Sequence, residues 1–146
     1  MPTLEQLLRD REGVRTKVYL DSRGKPTVGI GHLVTPADKL KVGDEITDQQ
    51  VSEFFKKDSA EALSAAKSQA SQAKISDSDF LVYLASVNFQ LGTGWNKEHK
   101  KTWALIMEGK YEEAAEEAGR STWAKQTPVR VKDFQQALKA LAKKKK

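Results

Sequence analysis

The chain of 146 residues contains no cysteine and only two histidines. The first absence excludes a disulfide framework and thiolate chemistry, and the second argues against a histidine-rich metal site. No apolar run approaches the roughly 18 residues that a membrane-spanning helix needs. The opening residues, MPTLEQLLRDREG, are charged and periodic, the pattern of a helix rather than of a signal peptide. There is no internal repeat, no low-complexity linker, no metal-spaced cluster and no G-x-S-x-G nucleophile elbow. Positive charge is in excess by five, but Lys143, Lys144, Lys145 and Lys146 supply four of those charges, so the body is close to neutral. A nucleic-acid binder carries its basic residues as a stripe on the folded domain. Here the excess sits on a tail, and no nucleic-acid partner is expected.

What remains is the composition of a globular protein, with 38% hydrophobic and 31% charged residues and enough length to bury a core. Thr3 and Gln6 make a capping-box start to a first helix with Leu4, Leu7 and Leu8 on one face, and Gly13 stops it. Glu12 therefore stands at a helix C-terminus. The β-branched and aromatic residues from Val14 to Leu20 favour a strand, residues 22–25 (SRGK) a turn, and Pro26 opens a return strand over Thr27 to Ile30. Gly29 and Gly31 mark a bulge or the close approach of another backbone or a ligand. Leu33 to Lys41 reads as an irregular or one-turn helical connection punctuated by Pro36. A second capping box, Thr47 with Gln50, begins a long helix reaching about Gln69, whose later half is too polar to be buried on all sides. Ser76 and Asp77 cap the most apolar helix, which ends at Gly92 and Gly94. Trp95 begins a connection, Thr102 is expected to N-cap WALIM, and Gly109 closes that short helix. Helices follow from Tyr111 to Ala118 and, after a Trp-bearing turn or short helix at Ser121 to Pro128, over the amphipathic stretch with Phe134, Leu138 and Leu141.

The chemistry concentrates in Glu12 to His32. Glu12, Asp21 and Thr27 are two carboxylates and a hydroxyl in one short glycine-punctuated stretch, and a hairpin brings Asp21 and Thr27 to neighbouring positions. Such a set suits glycoside cleavage, in which one carboxylic acid protonates the leaving oxygen while a carboxylate activates water or attacks the anomeric carbon. Read blandly, the same residues are surface charges and an ordinary strand threonine. His32 is either part of a nucleophilic triad, for which no nucleophile is in view, or a structural histidine tied to a carboxylate. Trp95, Trp103 and Trp123 are either sugar-stacking platforms or core residues on helical faces. The lysine tail is either a solvated end or, with Leu138 and Leu141, a basic amphipathic terminus drawn to anionic envelope surfaces.

The pattern Glu12-x8-Asp21-x5-Thr27 followed by GIGHL resembles the catalytic signature of the phage-type lysozymes (endolysins) of glycoside hydrolase family 24. DEITDQQVSEFFKKD, NFQLG, YEEAA and STWAKQTPVR recur in the same order in that family, so the resemblance covers nearly the whole chain. It implies an α+β, mostly helical fold. A small N-terminal lobe (about 13–58) carries a short antiparallel β element, and a long connecting helix joins it to a larger helical lobe built from 1–12 and about 70–142. Residues 143–146 form a basic tail. Glu12 would be the general acid, Asp21 the base toward water or the stabiliser of an oxocarbenium-like transition state, and Thr27 the holder of the water. Leu33, Phe89, Gln90 and Thr102 would contact the saccharide. His32 and Asp58 would form a structural ion pair, and Arg130 would orient Glu12.

The implied activity is that of a muramidase cleaving the β-1,4 bond between N-acetylmuramic acid and N-acetylglucosamine in peptidoglycan, with inversion and without metal or cofactor. The chain would act as a monomer, held in the host cytoplasm until a holin releases it. Departures from the family pattern lie at Trp95 to Lys101, at Glu117 (where a sugar-binding asparagine is often found), in the short Leu33–Asp44 stretch and in the lysine tail. Two rivals stand beside this reading. A lytic transglycosylase would work without the Asp–Thr pair, and a non-catalytic envelope-binding or permeabilising protein would act without Glu12.

Overall fold

The computed structural model describes residues 3–21 and 23–145. The chain is α+β and mostly helical, as the sequence indicates, with eight α-helices and one small three-stranded antiparallel sheet among the described residues. It divides into two compact units, Pro2–Ala60 and Glu61–Lys146. The first helix, expected with the helical lobe, groups with the sheet-bearing unit.

In the first unit α1 spans Leu4–Glu12. Both halves of the expected capping box are made: the Thr3 amide donates to Gln6 Oε1 at 2.9 Å and the Gln6 amide to Thr3 Oγ1 at 3.2 Å. The helix closes at Gly13, whose amide donates to the Arg9 carbonyl. Strand β1 (Arg15–Leu20) then pairs with β2 (Pro26–Gly29), and β2 with β3 (His32–Leu33). β3 is absent from the sequence reading. It forms because Gly29 and Gly31, both at φ near +65° (68° and 65°), let the chain reverse within two residues. The turn between β1 and β2 is closed by Asp21 and Lys25, with Ser22 outside the described residues.

Register gives the sheet two faces. Tyr19, Thr27 and Leu33 stand directly opposite one another across the three strands, as do Val28 and His32 across β2 and β3. Directly opposed residues share a face of the sheet. On the outer side of β1, residues 43–46 fold back: the Val18 amide donates to the Asp44 carbonyl at 2.8 Å and the Ile46 amide to the Thr16 carbonyl at 2.8 Å. A 3₁₀ turn at Pro36–Asp38 occupies the stretch expected to be irregular or to form one helical turn, and gives the second of those.

Helix α2 runs unbroken from Asp48 to Gln72, so the connecting helix is a little longer than its polarity suggests. Its Thr47–Gln50 capping box is formed. In the second unit follow α3 (Ser78–Leu91), α4 (Trp95–Glu98), α5 (Lys100–Met107), α6 (Tyr111–Gly119), α7 (Thr122–Gln126) and α8 (Pro128–Lys145). Two expectations are corrected here. Trp95 opens a helical turn rather than a connection, because the His99 amide reaches back to the Trp95 carbonyl at 2.8 Å. Thr102 is not an N-cap: His99 holds that position, and Thr102 is buried in the first turn of α5.

The core of this unit is aromatic. Phe134 of α8 lies 5.8–6.0 Å, ring to ring, from Phe80, Trp95 and Trp123. Trp95 and Trp123 are thus core residues rather than sugar platforms. Polar groups are buried with their partners. Gln69 and Asn88 exchange two amide hydrogen bonds of 2.8–2.9 Å, and Trp95 Nε1 donates to Gln69 Oε1 at 3.0 Å. The tail is not a separate segment as far as Lys145, the last described residue, since α8 continues to that point. Lys144 reaches Asp77 at 2.6 Å and Asp79 at 3.5 Å. Asp77 is the N-cap of α3, accepting from the Phe80 amide at 2.8 Å. The Lys144 ammonium, helped by that amide and against the cost of partial burial, holds the Asp77 carboxyl below its ordinary pKa.

Candidate active site

Four of the residues singled out in the sequence meet around the hairpin of the first unit. Asp21 is fixed by the turn it sits on. Its Oδ1 accepts from the Arg23 amide at 2.8 Å and the Lys25 amide at 2.9 Å, and its Oδ2 lies 3.8 Å from Arg23 Nε. Thr27, buried at 3% exposure, donates its hydroxyl proton to the Lys25 carbonyl at 3.0 Å. The Asp21 amide donates to that same carbonyl at 2.9 Å. One backbone oxygen thus holds Asp21 and Thr27 beside each other, and leaves the Thr27 oxygen free only as an acceptor. Leu33 is paired opposite Thr27 on β3.

Glu12 is positioned by a glycine. A Cβ built on Gly31 would lie 2.7–2.8 Å from Glu12 Cδ, Cγ and Oε1. The carboxyl of the last α1 residue is therefore packed directly on the backbone of the β2–β3 turn. The glycines were expected to admit a backbone or a ligand, but the group that approaches Gly31 is the Glu12 side chain; Gly29 faces Val51 at an ordinary 3.7 Å.

The opposite face of the sheet carries the anchor. His32 is 7% exposed and stacks on Phe54 with ring centroids 3.9 Å apart and planes within 4°. Its Nδ1 is 2.6 Å from Asp58 Oδ2, the pairing the sequence suggested. Its Nε2 is 2.8 Å from Asp38 Oδ2, a second carboxylate that the sequence reading missed. Asp38 is brought there by the 3₁₀ turn, where it also accepts from the Thr35 amide at 2.9 Å. Burial alone would lower the His32 pKa, but the bonds to Asp58 and Asp38 outweigh it and raise the value above 6.5. For Asp38 burial works upward, and the Thr35 amide and His32 overcome it, so its pKa falls below 3.8.

The remaining residues lie in the second unit. Phe89, on α3, is buried at 9% exposure. Gln90 has both ends of its amide engaged, accepting from Trp123 Nε1 and donating to Thr127 Oγ1, each at 2.9 Å. Those bonds tie α7 to α3. Arg130 is buried, with Nη2 donating to the Ser86 carbonyl at 3.0 Å and to Ser86 Oγ at 2.9 Å. Thr102 and Glu117 line one surface hollow of about 240 Å³ with His99, Arg120 and Ser121. Burial pushes the His99 pKa below 6.5, although Glu98 works against it. Among the described residues no group of three or more potential ligands is arranged to hold a metal.

A family model described as phage lysozyme matches residues 9–146. Among curated relatives, probable T4-type lysozyme 2 of Dictyostelium discoideum is 32% identical, over 88% of each chain. Peptidoglycan hydrolase gp36 of Pseudomonas phage phiKMV is 30% identical over 84% of this chain and 14% of its own length. The endolysin of Salmonella phage P22 is 42% identical over 35% of this chain and 36% of its own. The chain belongs to the phage lysozyme family. It is a glycosidase of the lysozyme type, whose activity is hydrolysis of the bacterial cell wall.

Two outcomes follow from this geometry. Gly31→Ala adds a methyl group at φ +65° into the Glu12 carboxyl. It is expected to lower activity about 100-fold by displacing the acid, and to cost about 1–3 kcal/mol of stability. Turbidity-clearing rates and urea unfolding of the purified variant measure both. The second outcome concerns pH. His32 has a raised folded-state pKa, so its contribution is complete below pH 6.5 and is lost as pH rises through that raised value. Asp38 has a lowered pKa, so its contribution is complete above 3.8 and is lost as pH falls through the lowered value. The urea midpoint should therefore be level between these limits and fall above pH 6.5, and His32→Asn should remove the alkaline fall.

Proposed function

We propose that the chain hydrolyses the β-1,4 bond between N-acetylmuramic acid and N-acetylglucosamine in peptidoglycan, by single displacement with inversion. Glu12 protonates the departing glycosidic oxygen, and Asp21, acting from the other face of the sugar, takes a proton from water as that water attacks the anomeric carbon. Thr27 accepts the other water hydrogen. The observation that carries this reading is the shared Lys25 carbonyl. It fixes Asp21 and Thr27 as neighbours, both presenting acceptor oxygens, within the unit in which Glu12 is packed on Gly31. A water with both hydrogens accepted has its lone pairs turned away from those two oxygens, so that one can be aimed at the anomeric carbon.

Leu33, Phe89, Gln90 and Thr102 are assigned to saccharide contact in the same reading. Glu117 shares the Thr102 hollow and adds a carboxylate there. Arg130 is assigned the task of orienting Glu12. No metal or cofactor has a part in the reaction, because the two carboxylates supply both proton transfers. The substrate partner is peptidoglycan, a polymer that the name of the phiKMV relative also carries. The chain would work as a monomer, held in the host cytoplasm until a holin opens the inner membrane. Contact of the tail with an anionic envelope would rest on the tail lysines other than Lys144, since Asp77 engages that one.

Glu12→Gln tests the assignment, since it is nearly isosteric and cannot donate the proton. It is expected to lower clearing of permeabilised Gram-negative cells by about 10²–10⁴-fold, with unchanged unfolding and unchanged binding to purified cell walls. Undiminished clearing by a folded Glu12→Gln protein would remove the catalytic role and favour a wall-binding or permeabilising protein.

A further inference from the structure

The mechanism above leaves one polar side chain of the site unused. Tyr19 is paired directly opposite Thr27, which is paired opposite Leu33, so the three form one row on one face of the sheet. Two members of that row are already assigned to the reaction or to its substrate. The Tyr19 ring is held from one side by the Arg15 guanidinium, centred 4.4 Å from the ring. Tyr19 is half-buried, yet among the described residues its hydroxyl has no protein hydrogen-bond partner. No buried side-chain polar atom among those residues lacks a partner, so this hydroxyl reaches solvent.

The neighbourhood of that hydroxyl keeps it a donor. Burial, then the Glu12 charge, with Asp21 adding to them, raises the phenol above its ordinary pKa of 10.0, against the opposing pull of Arg15. The O–H therefore stays protonated throughout the range in which two carboxylates can exchange protons. Both acids of the reaction act on this phenol through space, which puts it in the field of the reacting groups.

A water whose two hydrogens are accepted by Asp21 and Thr27 keeps two lone pairs. One attacks the anomeric carbon. The other needs a donor if the water is to be held in a single orientation, and neither the Asp21 carboxylate nor the Thr27 oxygen can supply one. Thr27 has already given its proton to Lys25. We infer that Tyr19 is a further catalytic residue of this enzyme: its hydroxyl, beside Thr27 on the same sheet face, donates the hydrogen bond that completes the shell of the attacking water. Arg15, stacked on the ring, is the positioning residue that aims it.

This inference rests on the hydrolytic reading of Glu12, Asp21 and Thr27, and the test separates the two. Tyr19→Phe keeps the ring, the Arg15 stack and the strand pairing and removes only the donor. With soluble, uncross-linked peptidoglycan strands, it is expected to lower kcat about tenfold, the loss of one hydrogen bond made in the transition state, with KM and the unfolding midpoint unchanged. Tyr19→His, which keeps an N–H donor on an aromatic ring, should recover part of that loss, and Arg15→Gln should give a smaller loss of kcat. A Tyr19→Phe kcat equal to that of the wild type, or a loss confined to KM, overturns the inference while leaving the hydrolytic reading intact if Glu12→Gln is inactive. An active Glu12→Gln protein overturns both.

Discussion

The Glu12 carboxyl rests on Gly31, and the candidate site depends on that contact. With 2.7–2.8 Å between the position a Cβ would take and three atoms of the glutamate, no other residue fits at position 31 without moving the acid. The left-handed backbone at φ +65° imposes the same requirement independently. The constraint propagates outward. The turn that contains Gly31 exists because Gly29 also accepts a positive φ, and it places His32 on the buried face of the sheet. His32 is then clamped between Asp38 and Asp58 and stacked on Phe54 of α2. An anchor on one face of the sheet and an acid on the turn are consequences of one five-residue stretch, GIGHL.

Much of this was legible because the signals were local. The capping boxes at Thr3 and Thr47, the Gly13 stop and the Asp77 cap are hydrogen bonds to the backbone within three or four residues, and each formed as read. The Asp21–Thr27 neighbourhood follows from a short hairpin, which admits few geometries. The illegible parts were those decided at a distance or by weak signals. β3 is only two residues long and has no periodicity to display. Asp38 reaches His32 because a 3₁₀ turn delivers it, and although Pro36 punctuates that segment, nothing in it announces the histidine as the partner. Thr102 looked like a cap because threonines often are. The helical turn at Trp95–Glu98 shifted the start of α5 and buried it instead. Tyr19 was overlooked because an aromatic residue in a strand ordinarily signals packing, and its significance appears only with the register that sets it opposite Thr27.

The second unit shows a different economy. Its core is fixed by aromatic contacts around Phe134 and by the Gln69–Asn88–Trp95 network, in which amides deep in the interior satisfy one another. Gln90 belongs to that scaffold, holding Trp123 and Thr127, so any contact it makes with a saccharide is made by an already immobilised group. The lysine-rich end is likewise structural at Lys144, whose ion pair with Asp77 secures the last turn of α8 to the first of α3.

The account turns on a water held opposite the departing oxygen, and the configuration of the first product reports this most directly. The anomeric proton at the new reducing end can be followed by NMR during the first minutes of hydrolysis of soluble peptidoglycan strands. Attack by water from the Asp21 side predicts that the α-anomer appears first and only later equilibrates with the β-anomer. A β-anomer formed first would mean a covalent intermediate, and 1,6-anhydro ends would mean a transglycosylase. Either would contradict the assignment of Asp21 and Thr27 to an attacking water.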